Sequence, residues 1–318
     1  MHTSTLPKLS CPECQGNLRL QTSGQTPVTS VALAWEGAVF CQSCLEEFPI
    51  HNGIPCLLRP SRKAQLLAFA DVYEELRLRE GWAVKDNPSY YKALPFRDVT
   101  GRHEEEWRVR GYSYGRLLRR ITKFALGRSL RIVDLGAGFG WLAARLAEAG
   151  HRTIAIDLDA GPHGLAASRH LRSDNADFSC VQGELLFPPL AKEQADLIII
   201  NAALHYTSEH EKIFASLYRA LASGGVLVVI DSPTYPTAKE RDLAQEASAS
   251  YYRQQRTTEL AYVYRGLVRA ELIESLVNFT AIECEVMHTA STWRSLAAKL
   301  RNGYQPAQFE LVWAKKRG

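Results

Sequence analysis

The sequence lacks a long hydrophobic segment and a large excess of charge of either sign. Apolar runs such as residues 197–200 are far shorter than the roughly 20 residues that a membrane-spanning helix needs. No apolar stretch of the signal-peptide type follows Met1, so we expect a cytoplasmic protein without membrane insertion. The formal net charge of +4 over 318 residues is too small to require a nucleic-acid partner, although it does not exclude one.

Cysteine is also scarce, with seven residues in the chain, but four of these form two CxxC pairs. Cys11 and Cys14 form the first pair, and 26 residues separate it from Cys41 and Cys44. Without a signal peptide, this spacing favours metal ligation over a disulfide framework. Four thiolates can enclose one tetrahedral Zn²⁺ and leave no open coordination position. The pattern therefore predicts a structural zinc site in a domain too small to be stable alone.

Composition divides the chain into three regions. Residues 1–58 contain the CxxC pairs and many turn formers, and residues 59–63 read as a linker. Two helical patterns follow up to residue 129, on either side of an aromatic-rich segment at 86–101 that we predict to be an ordered loop. From residue 130 to 318, short apolar runs alternate with helical stretches. This alternation is typical of a parallel sheet wrapped by helices.

A glycine-rich turn follows the first apolar run of that third region. The run at 130–133 leads into Asp134 and then Gly136, Gly138 and Gly140, at the start of a predicted helix. Glycine lets the backbone approach a ligand closely, and a helix N-terminus presents free N–H groups, so a nucleotide-like ligand is indicated. NAD- and flavin-binding domains use a similar corner with the spacing GxGxxG, whereas these glycines are spaced GxGxG.

The DxGxGxG arrangement resembles motif I of class I S-adenosylmethionine-dependent methyltransferases, in which the glycines pass beside the amino-acid end of the cofactor. The resemblance extends over residues 130–316. It implies that Asp157, after the second strand, accepts the ribose hydroxyls, and that Glu184 contacts the adenine amino group. Asn201 and Ala202 would line the cofactor at the end of the fourth strand. A solvated loop carboxylate is the alternative for Glu184, because the motif spacing around it is shortened.

This resemblance completes the predicted fold. We expect an α/β, Rossmann-like methyltransferase domain at 130–318, with a doubly wound, mostly parallel seven-stranded sheet whose last strand is antiparallel. A linker and helical lid region at 59–129 would precede it. Residues 1–58 would form a small zinc ribbon, since residues 48–58 resemble the zinc-ribbon partner subunit of tRNA, rRNA and release-factor methyltransferases. The resemblance implies that the ribbon covers an apolar face of the enzyme; docking of RNA or protein is a second role.

Methyl transfer from a sulfonium requires alignment and exclusion of water rather than a nucleophilic side chain. If the acceptor is a hydroxyl, a base is useful, and His205 and Asp231 follow strands at the ligand-binding edge. A structural histidine and a turn-forming aspartate are the alternatives for these two positions. Arg110, in the helical region, is a candidate ligand for a carboxylate of the cofactor or of the acceptor, or is simply an exposed helix arginine.

Three functions follow in order of preference. The first is methylation of a small-molecule or lipid-like acceptor on oxygen or carbon. The [DN]PP[YF] motif that binds exocyclic amines is absent, because residues 201–204 read Asn-Ala-Ala-Leu. The second is RNA methylation, suggested by the associations of the ribbon and by the basic residues between 116 and 131, which are otherwise a solvated helix face. The third is a non-catalytic S-adenosylmethionine-binding scaffold.

Overall fold

The computed structural model describes residues 2–21, 36–85, 87–174, 176, 178–255, 266–288 and 307–318. An N-terminal module, described at residues 2–21 and 36–58, starts with a 3-10 helix at Thr3–Lys8 and contains a small antiparallel sheet. Its strands are β1 (Leu18–Gln21), β2 (Gly37–Cys41), β3 (Glu47–His51) and β4 (Ile54–Pro55), in that spatial order. None of the helices in the described residues is long and apolar enough to cross a membrane.

Three helices follow the module: α1 (Pro60–Glu80), α2 (Pro88–Ala93) and α3 (Glu104–Ala125). The residues 60–63 that were predicted as linker are instead the first turn of α1, because proline at the first helical position already has a helical φ and needs no N–H partner. Gly81 ends α1 in the left-handed conformation, with φ 83°. The segment predicted to be a loop contains the short helix α2.

The large sheet is built from the rest of the chain, which alternates strands and helices. Its elements are β5 (Arg131–Leu135), α4 (Trp141–Glu148), β6 (Arg152–Asp157), β7 (Ser179–Gln182), β8 (Ala195–Asn201), α5 (His210–Ala220), β9 (Leu221–Tyr235), α6 (Ala238–Gln254), β10 (Leu267–Val268), α7 (Arg269–Glu274), β11 (Thr280–His288) and β12 (Gln308–Lys315).

The strand order of this sheet is β11-β12-β9-β8-β5-β6-β7, with β10 paired in parallel to the end of β9. Strands β5 to β9 are parallel, and β12 runs antiparallel to both β9 and β11. The predicted Rossmann-like fold with an antiparallel last strand is therefore confirmed. The helical insert predicted around Trp293, Leu296 and Leu300 lies outside the described residues.

The two faces of the large sheet are covered by different parts of the chain. One face packs against α3 and α4, through residues such as Leu117 and Leu142. The other face packs against α5 and against the N-terminal module, whose buried Leu9, Phe48 and Leu57 share a core with the β5, β6 and β7 side chains. Successive side chains of a strand point to opposite faces, so the nearly continuous apolar runs of β8 and β9 supply both faces, as expected of a sheet buried on both sides.

The N-terminal module is also joined to the large sheet through the backbone. Leu57 N–H donates to the Gln182 carbonyl at 2.8 Å, which adds the end of the module to the β7 edge. Ser10 N–H donates to Pro189 O at 3.1 Å, and the hydroxyls of Thr5 and Ser179 lie 2.8 Å apart. The described connections around β7 contain one 3-10 helix, Leu165–His170, and its apolar side chains pack on the opposite face. The module therefore covers a face that a crossover helix would otherwise cover.

If that face depends on the module, truncation of a single shared side chain should destabilise the whole chain. We expect Leu57→Ala to lower the free energy of unfolding by about 3 kcal/mol, because Leu57 is fully buried between the module and the sheet. Chemical denaturation followed by near-UV circular dichroism measures the effect. Leu45→Ala is the matched control, since Leu45 belongs to the same module but is 72% exposed. An unchanged transition for Leu57→Ala would show that the two parts fold independently.

Candidate active site

A cavity of about 1320 Å³ opens at the carboxyl ends of β5, β6, β8 and β9. This edge, where the strand order reverses between β5 and β8, is the usual ligand position in doubly wound sheets. Helix α1 and the start of α3 close it from above. The volume exceeds the roughly 300–1,000 Å³ of a typical small-ligand pocket, so two ligands can be held side by side. The predicted site residues that line it are Gly136, Gly138, Asp157, Glu184, Asn201, Ala202, His205 and Asp231.

The glycine turn forms one wall of this cavity, and all three of its glycines have positive φ. A Cβ atom at Gly136 would collide with the Ala203 side chain, which follows β8. At Gly138 an added Cβ would meet no heavy atom within 4 Å, because this position faces the open cavity. The turn thus needs glycine for close packing at Gly136 and for backbone conformation at Gly138.

Asp157 lies opposite this turn at the end of β6. Its Oδ2 accepts the Gly138 N–H at 2.7 Å, and its Oδ1 accepts the Asp159 N–H at 2.9 Å. Burial raises the pKa of Asp157 to about 6 in spite of these hydrogen bonds. Asp159, beside it, has its pKa raised to about 7 by burial and by the Asp157 charge. The two carboxylates make this end of the cavity acidic and suited to hydroxyl donors.

Asp134 and Gly140, the remaining two predicted cofactor residues, do not line the cavity. Asp134 is 1% exposed, and its Oδ2 accepts the Ala143 N–H at 3.2 Å in the first turn of α4. Burial raises the pKa of Asp134 to about 7. Gly140 caps α4 with φ 84°, and a Cβ there would press on Phe178. In this structure both residues shape the turn, whereas their predicted contact with a cofactor stays a prediction.

Glu184 is 5% exposed and bonds to a residue that sequence reasoning did not single out. Arg62 of α1 donates its Nε–H to both Glu184 oxygens, at 3.0 and 3.2 Å. Desolvation raises the pKa of Glu184, and the Arg62 charge opposes that shift. A carboxylate can accept about four hydrogen bonds, so the pair with Arg62 leaves room for an adenine amino group.

The end of β8 supplies an unpaired acceptor to the cavity. Asn201 Oδ1 is buried and has no hydrogen-bond partner among the described residues. Ala202 takes a left-handed conformation, with φ 51°, and its N–H donates to Ile230 O at 2.8 Å. Leu204 N–H donates to Ser232 Oγ at 3.3 Å, so the β8 loop is tied to the end of β9. Because a buried polar atom without a partner is costly, Asn201 fits a ligand donor in this position.

The two candidate bases differ in electrostatic environment. Burial lowers the pKa of His205 to about 3, and the charges of Arg77 and Arg110 act in the same direction. Asp231 lies at a bulge of β9 with φ 55°, where its Oδ1 accepts the Ser113 hydroxyl at 2.7 Å. Burial raises the pKa of Asp231 to about 6. At neutral pH His205 is therefore a weak base, and Asp231 is an ionised carboxylate with the higher proton affinity.

The cavity end near His205 contains aromatic and arginine side chains from α1 and α3. The hydroxyls of Tyr73 and Tyr206 lie 3.1 Å apart, and Arg77 donates to the Tyr206 hydroxyl at 3.0 Å. The Arg110 guanidinium lies 4.7 Å from the ring centre of Trp82 and 4.6 Å from that of Trp107. Sequence reasoning missed Tyr73, Arg77 and Trp82. The four-residue step from Tyr73 to Arg77, which puts both on one helix face, was the available signal.

The aromatic residues predicted as a lid have mostly structural contacts. Tyr90 and Tyr91 are buried, and their hydroxyls donate to Trp82 O at 3.0 Å and Val84 O at 3.1 Å. They therefore fix the segment that carries Trp82. The basic residues between 116 and 131 are partly neutralised by ion pairs: Arg116 and Arg120 pair with Glu283 and Glu285 of β11, and Arg131 pairs with Asp196. This face is less suited to phosphate binding than its sequence suggests.

The four CxxC cysteines come together at one end of the N-terminal module. Their ligand atoms all lie within 4.8 Å of one another. The Cys11 and Cys44 sulfurs are 3.7 Å apart, and the Cys14 and Cys41 sulfurs are 3.4 Å apart. A tetrahedral zinc ion with Zn–S bonds of about 2.3 Å requires sulfurs separated by about 3.8 Å. The cluster is thus compatible with zinc.

Comparison with known proteins agrees with the fold. Residues 133–229 match a family model described as a methyltransferase domain. Trans-aconitate 2-methyltransferase of Acidovorax sp. (strain JS42) is 32% identical over 171 residues, which cover 50% of this chain and 60% of that protein. Demethylmenaquinone methyltransferase of Thermus thermophilus is 32% identical over 120 residues, which cover 37% and 54%. The chain thus spans little more than half the length of these curated relatives.

Among solved structures, an S-adenosylmethionine-dependent methyltransferase from Mesorhizobium loti aligns with a TM-score of 0.46 and 24% identity, over 65% of this chain and all of that one. Residues 133–229 are thus similar to a methyltransferase domain, and the strand order of the chain agrees with that similarity. The fold of this part of the chain is the class I, Rossmann-like fold of the S-adenosylmethionine-dependent enzymes.

The geometry of the glycine turn predicts stability changes that are measured without a ligand. We expect Gly136→Ala to lower the free energy of unfolding by about 3 kcal/mol, since the new methyl group adds overpacking to the cost of a positive φ. Gly138→Ala should cost only about 1 kcal/mol, because its methyl group would point into the open cavity. Urea denaturation measures both.

The double variant Gly136→Ala/Ala203→Gly isolates the collision. The new methyl group would collide with the Ala203 side chain. Removal of that side chain should therefore restore about 1–2 kcal/mol of the lost free energy of unfolding. Equal destabilisation by the two single variants, without recovery in the double variant, would contradict this description of the turn.

Proposed function

We propose that this chain is an S-adenosylmethionine-dependent methyltransferase that acts on a small-molecule acceptor, on oxygen or carbon. The observation that carries the proposal is the pairing of the glycine turn with Asp157 across the cavity. Gly138 N–H is held 2.7 Å from the Asp157 carboxylate, which leaves the other lone pairs of that carboxylate for ribose hydroxyls. The cofactor supplies an electrophilic methyl group on a sulfonium.

The residues that line the cavity match the ribose, the adenine and the amino-acid end of S-adenosylmethionine. Asp157 and Glu184 would bind the ribose and the adenine amino group at the acidic end of the cavity. Asn201 Oδ1, which is buried without a partner in the described residues, would accept an N–H from the amino-acid end. Gly136, Gly138 and Ala202 would let that end approach the backbone closely. The relatives named above, which are methyltransferases for small molecules by name, support the same choice of acceptor class.

Asp231 is the better candidate for a general base. His205 is the better candidate for an uncharged residue in the wall of the acceptor site. A hydroxyl acceptor would lose its proton to the Asp231 carboxylate, whose pKa of about 6 keeps it ionised at neutral pH. The Ser113 hydroxyl orients that carboxylate. His205, neutral because burial and two arginines disfavour its charged form, can hydrogen-bond the acceptor without competing for the proton. A carbon acceptor would use the same two groups for alignment.

The RNA alternative is weaker on two observations. The acceptor end of the cavity is closed above by α1, with Tyr73 hydrogen-bonded to Tyr206. The basic face that could meet phosphates is partly paired with Glu283, Glu285 and Asp196. We also propose that Cys11, Cys14, Cys41 and Cys44 hold a structural zinc ion, since four sulfurs would leave no position for a substrate.

Asp157→Ala should weaken the binding of S-adenosylhomocysteine at least tenfold, because two hydrogen bonds to a charged acceptor are lost. Isothermal titration calorimetry on the full chain measures the dissociation constant. Asp174→Ala, which removes an exposed aspartate outside the cavity, is the control and should bind normally. Undiminished binding by Asp157→Ala, or no binding by the wild type, would refute the proposed site.

A fall in pH should weaken cofactor binding through protonation of the Asp157 carboxylate. Because the pKa of Asp157 is raised to about 6, the ionised form that accepts hydroxyl donors is lost as the pH falls through that value. We expect the dissociation constant to rise about tenfold between pH 8 and pH 5 in the wild type, and to stay nearly constant in Asp157→Asn. The same rise in both proteins would assign the pH dependence to another group.

Removal of the metal should destabilise the chain without touching the cavity directly. The purified protein should contain about one zinc per chain by mass spectrometry of the metal. A chelator or Cys41→Ser should lower the midpoint of thermal unfolding by about 10 °C or more, since binding energy at a closed four-thiolate site is folding energy. Cys284→Ser, a half-buried cysteine outside the cluster, is the control. Metal-free protein that is insensitive to chelation would contradict the zinc assignment.

A further inference from the structure

One end of the cavity carries positive charge that the proposed cofactor contacts do not use. We call it the arginine chamber; it is formed by Tyr73, Arg77, Trp82, Trp107, Arg110 and His205. It lies near the ends of β8 and β9, whereas Asp157 is the last residue of β6 and Asp159 follows two residues later. The cavity therefore has an acidic end and a basic end.

Arg110 is the central group of this chamber. Its guanidinium packs on two indole rings, at 4.7 Å from the centre of Trp82 and 4.6 Å from that of Trp107, and these rings are inclined by 64° to each other. In the described ranges the structure gives Arg110 no hydrogen-bond acceptor and no ion pair within 4.0 Å. Arg110 thus lines the cavity with a planar group of five N–H donors that has no ion-pair partner among the described residues.

Among the acidic groups, Asp231 acts on Arg110 most strongly, because its negative charge favours the charged form of the guanidinium. That carboxylate already accepts the Ser113 hydroxyl at 2.7 Å. Arg77, by contrast, is paired: it lies 2.8 Å from Glu80 and donates to Tyr206. Burial and the Arg77 charge both disfavour the charged form of Arg110. A chain that keeps an arginine in this position tolerates a cost that a bound anion would remove.

We propose that Arg110 binds an anionic group, a carboxylate or a phosphate, on the methyl acceptor, with Trp82 and Trp107 holding the guanidinium so that its edge faces the cavity. A guanidinium stacked on aromatic faces keeps its in-plane donors free, which suits two parallel hydrogen bonds to one anion. The proposal rests on the methyltransferase function given above and narrows its acceptor to an acidic molecule.

The acceptor is a better source of this anion than the cofactor. Arg77 and Arg110 both act on His205, which follows β8 on the side where the acceptor would lie. The fork of Arg110 therefore shares its surroundings with His205 and Asp231 rather than with Asp157. Since the carboxylate of the cofactor's methionine end is also an anion, the experiment must separate the two sources.

The test uses the full chain saturated with S-adenosylhomocysteine, so that any cofactor carboxylate site is filled. Benzoate, citrate and phenyl phosphate are titrated by calorimetry, with benzamide as the uncharged match for benzoate. We expect at least one of the three anions to bind the wild type at least tenfold more tightly than benzamide does. Arg110→Gln should abolish that preference, and Arg110→Lys should retain part of it, because lysine keeps the charge without the fork.

Arg108→Gln is the matched control, because Arg108 lies on the same helix and is exposed, paired with Glu105. It should keep the anion preference. Thermal unfolding separates binding from folding: Arg110→Gln should be at least as stable as the wild type, because it removes a partly buried charge that no described residue pairs. A large loss of stability in Arg110→Gln would mean that Arg110 is structural.

Two further results would overturn the proposal. One is an absence of preference for any of the three anions in the wild type, or an equal loss in Arg108→Gln. The other is at least tenfold weaker binding of S-adenosylhomocysteine by Arg110→Gln with unchanged binding of 5′-methylthioadenosine, which lacks the amino-acid end; Arg110 would then hold the cofactor. If the wild type does not bind S-adenosylhomocysteine at all, the proposed function itself fails, and the two failures are distinct.

Discussion

The apolar face that β5, β6 and β7 share with the N-terminal module is the contact on which the rest of the molecule depends. Side chains such as Val133, Ile156 and Val181 point to this face, and Leu9 and Leu57 complete its core. Without the module these strands would expose a continuous apolar surface, which a soluble sheet does not tolerate. The same contact places Leu57 at the β7 edge, and α1 begins three residues later. The roof of the cavity is therefore positioned by the packing of the module.

The residues at the N-terminus of α1, from its N-cap Arg59 onward, link the module to the cavity. Arg59 donates to the carbonyls of Pro12 and Glu13, inside the first CxxC pair, at 3.1 and 3.2 Å. Its guanidinium also lies 3.8 Å from the ring centre of Phe187. One turn further, Arg62 bonds Glu184 in the cavity wall. A contiguous set of contacts thus leads from the cysteine cluster to the proposed adenine end, and a metal could influence the cavity through α1 without lying in it.

Local sequence signals predicted the strand ends well and the contacts across the cavity poorly. The glycine turn and Asp157 were found because a strand, a turn and a helix start carry recognisable residues at short spacing. The Arg62–Glu184 pair joins residues 122 positions apart, and the Arg77–Tyr206 bond spans 129 positions. No spacing rule connects such residues, because their proximity is created by the path of α1 over the sheet.

Burial changes the proton affinities of the two candidate bases from those that residue type alone indicates. Histidine has an ordinary pKa near neutrality, about 6.5, and aspartate has one near 3.9, so the sequence favoured His205. In the structure the low-dielectric surroundings disfavour the charged form of each group. The pKa of His205 therefore falls to about 3 and that of Asp231 rises to about 6. The sign of each shift follows from burial, which the sequence does not display.

Several partly buried charged side chains line the cavity at one edge of the large sheet, and the acidic and basic groups are separated along that edge. Asp157 and Asp159 lie at and just after the end of β6, whereas Arg77 and Arg110 lie over the ends of β8 and β9. Arg77 is paired with Glu80, whereas Arg110 has no ion-pair partner among the described residues, and a fold selected only for stability would place an apolar or paired side chain there. The separation of acidic and basic groups instead suits two different ligands in one cavity. One would offer hydroxyl donors to the acidic groups, and the other would offer an anion to the basic groups. The reacting atoms would then meet between them, where Asn201 and Asp231 line the wall.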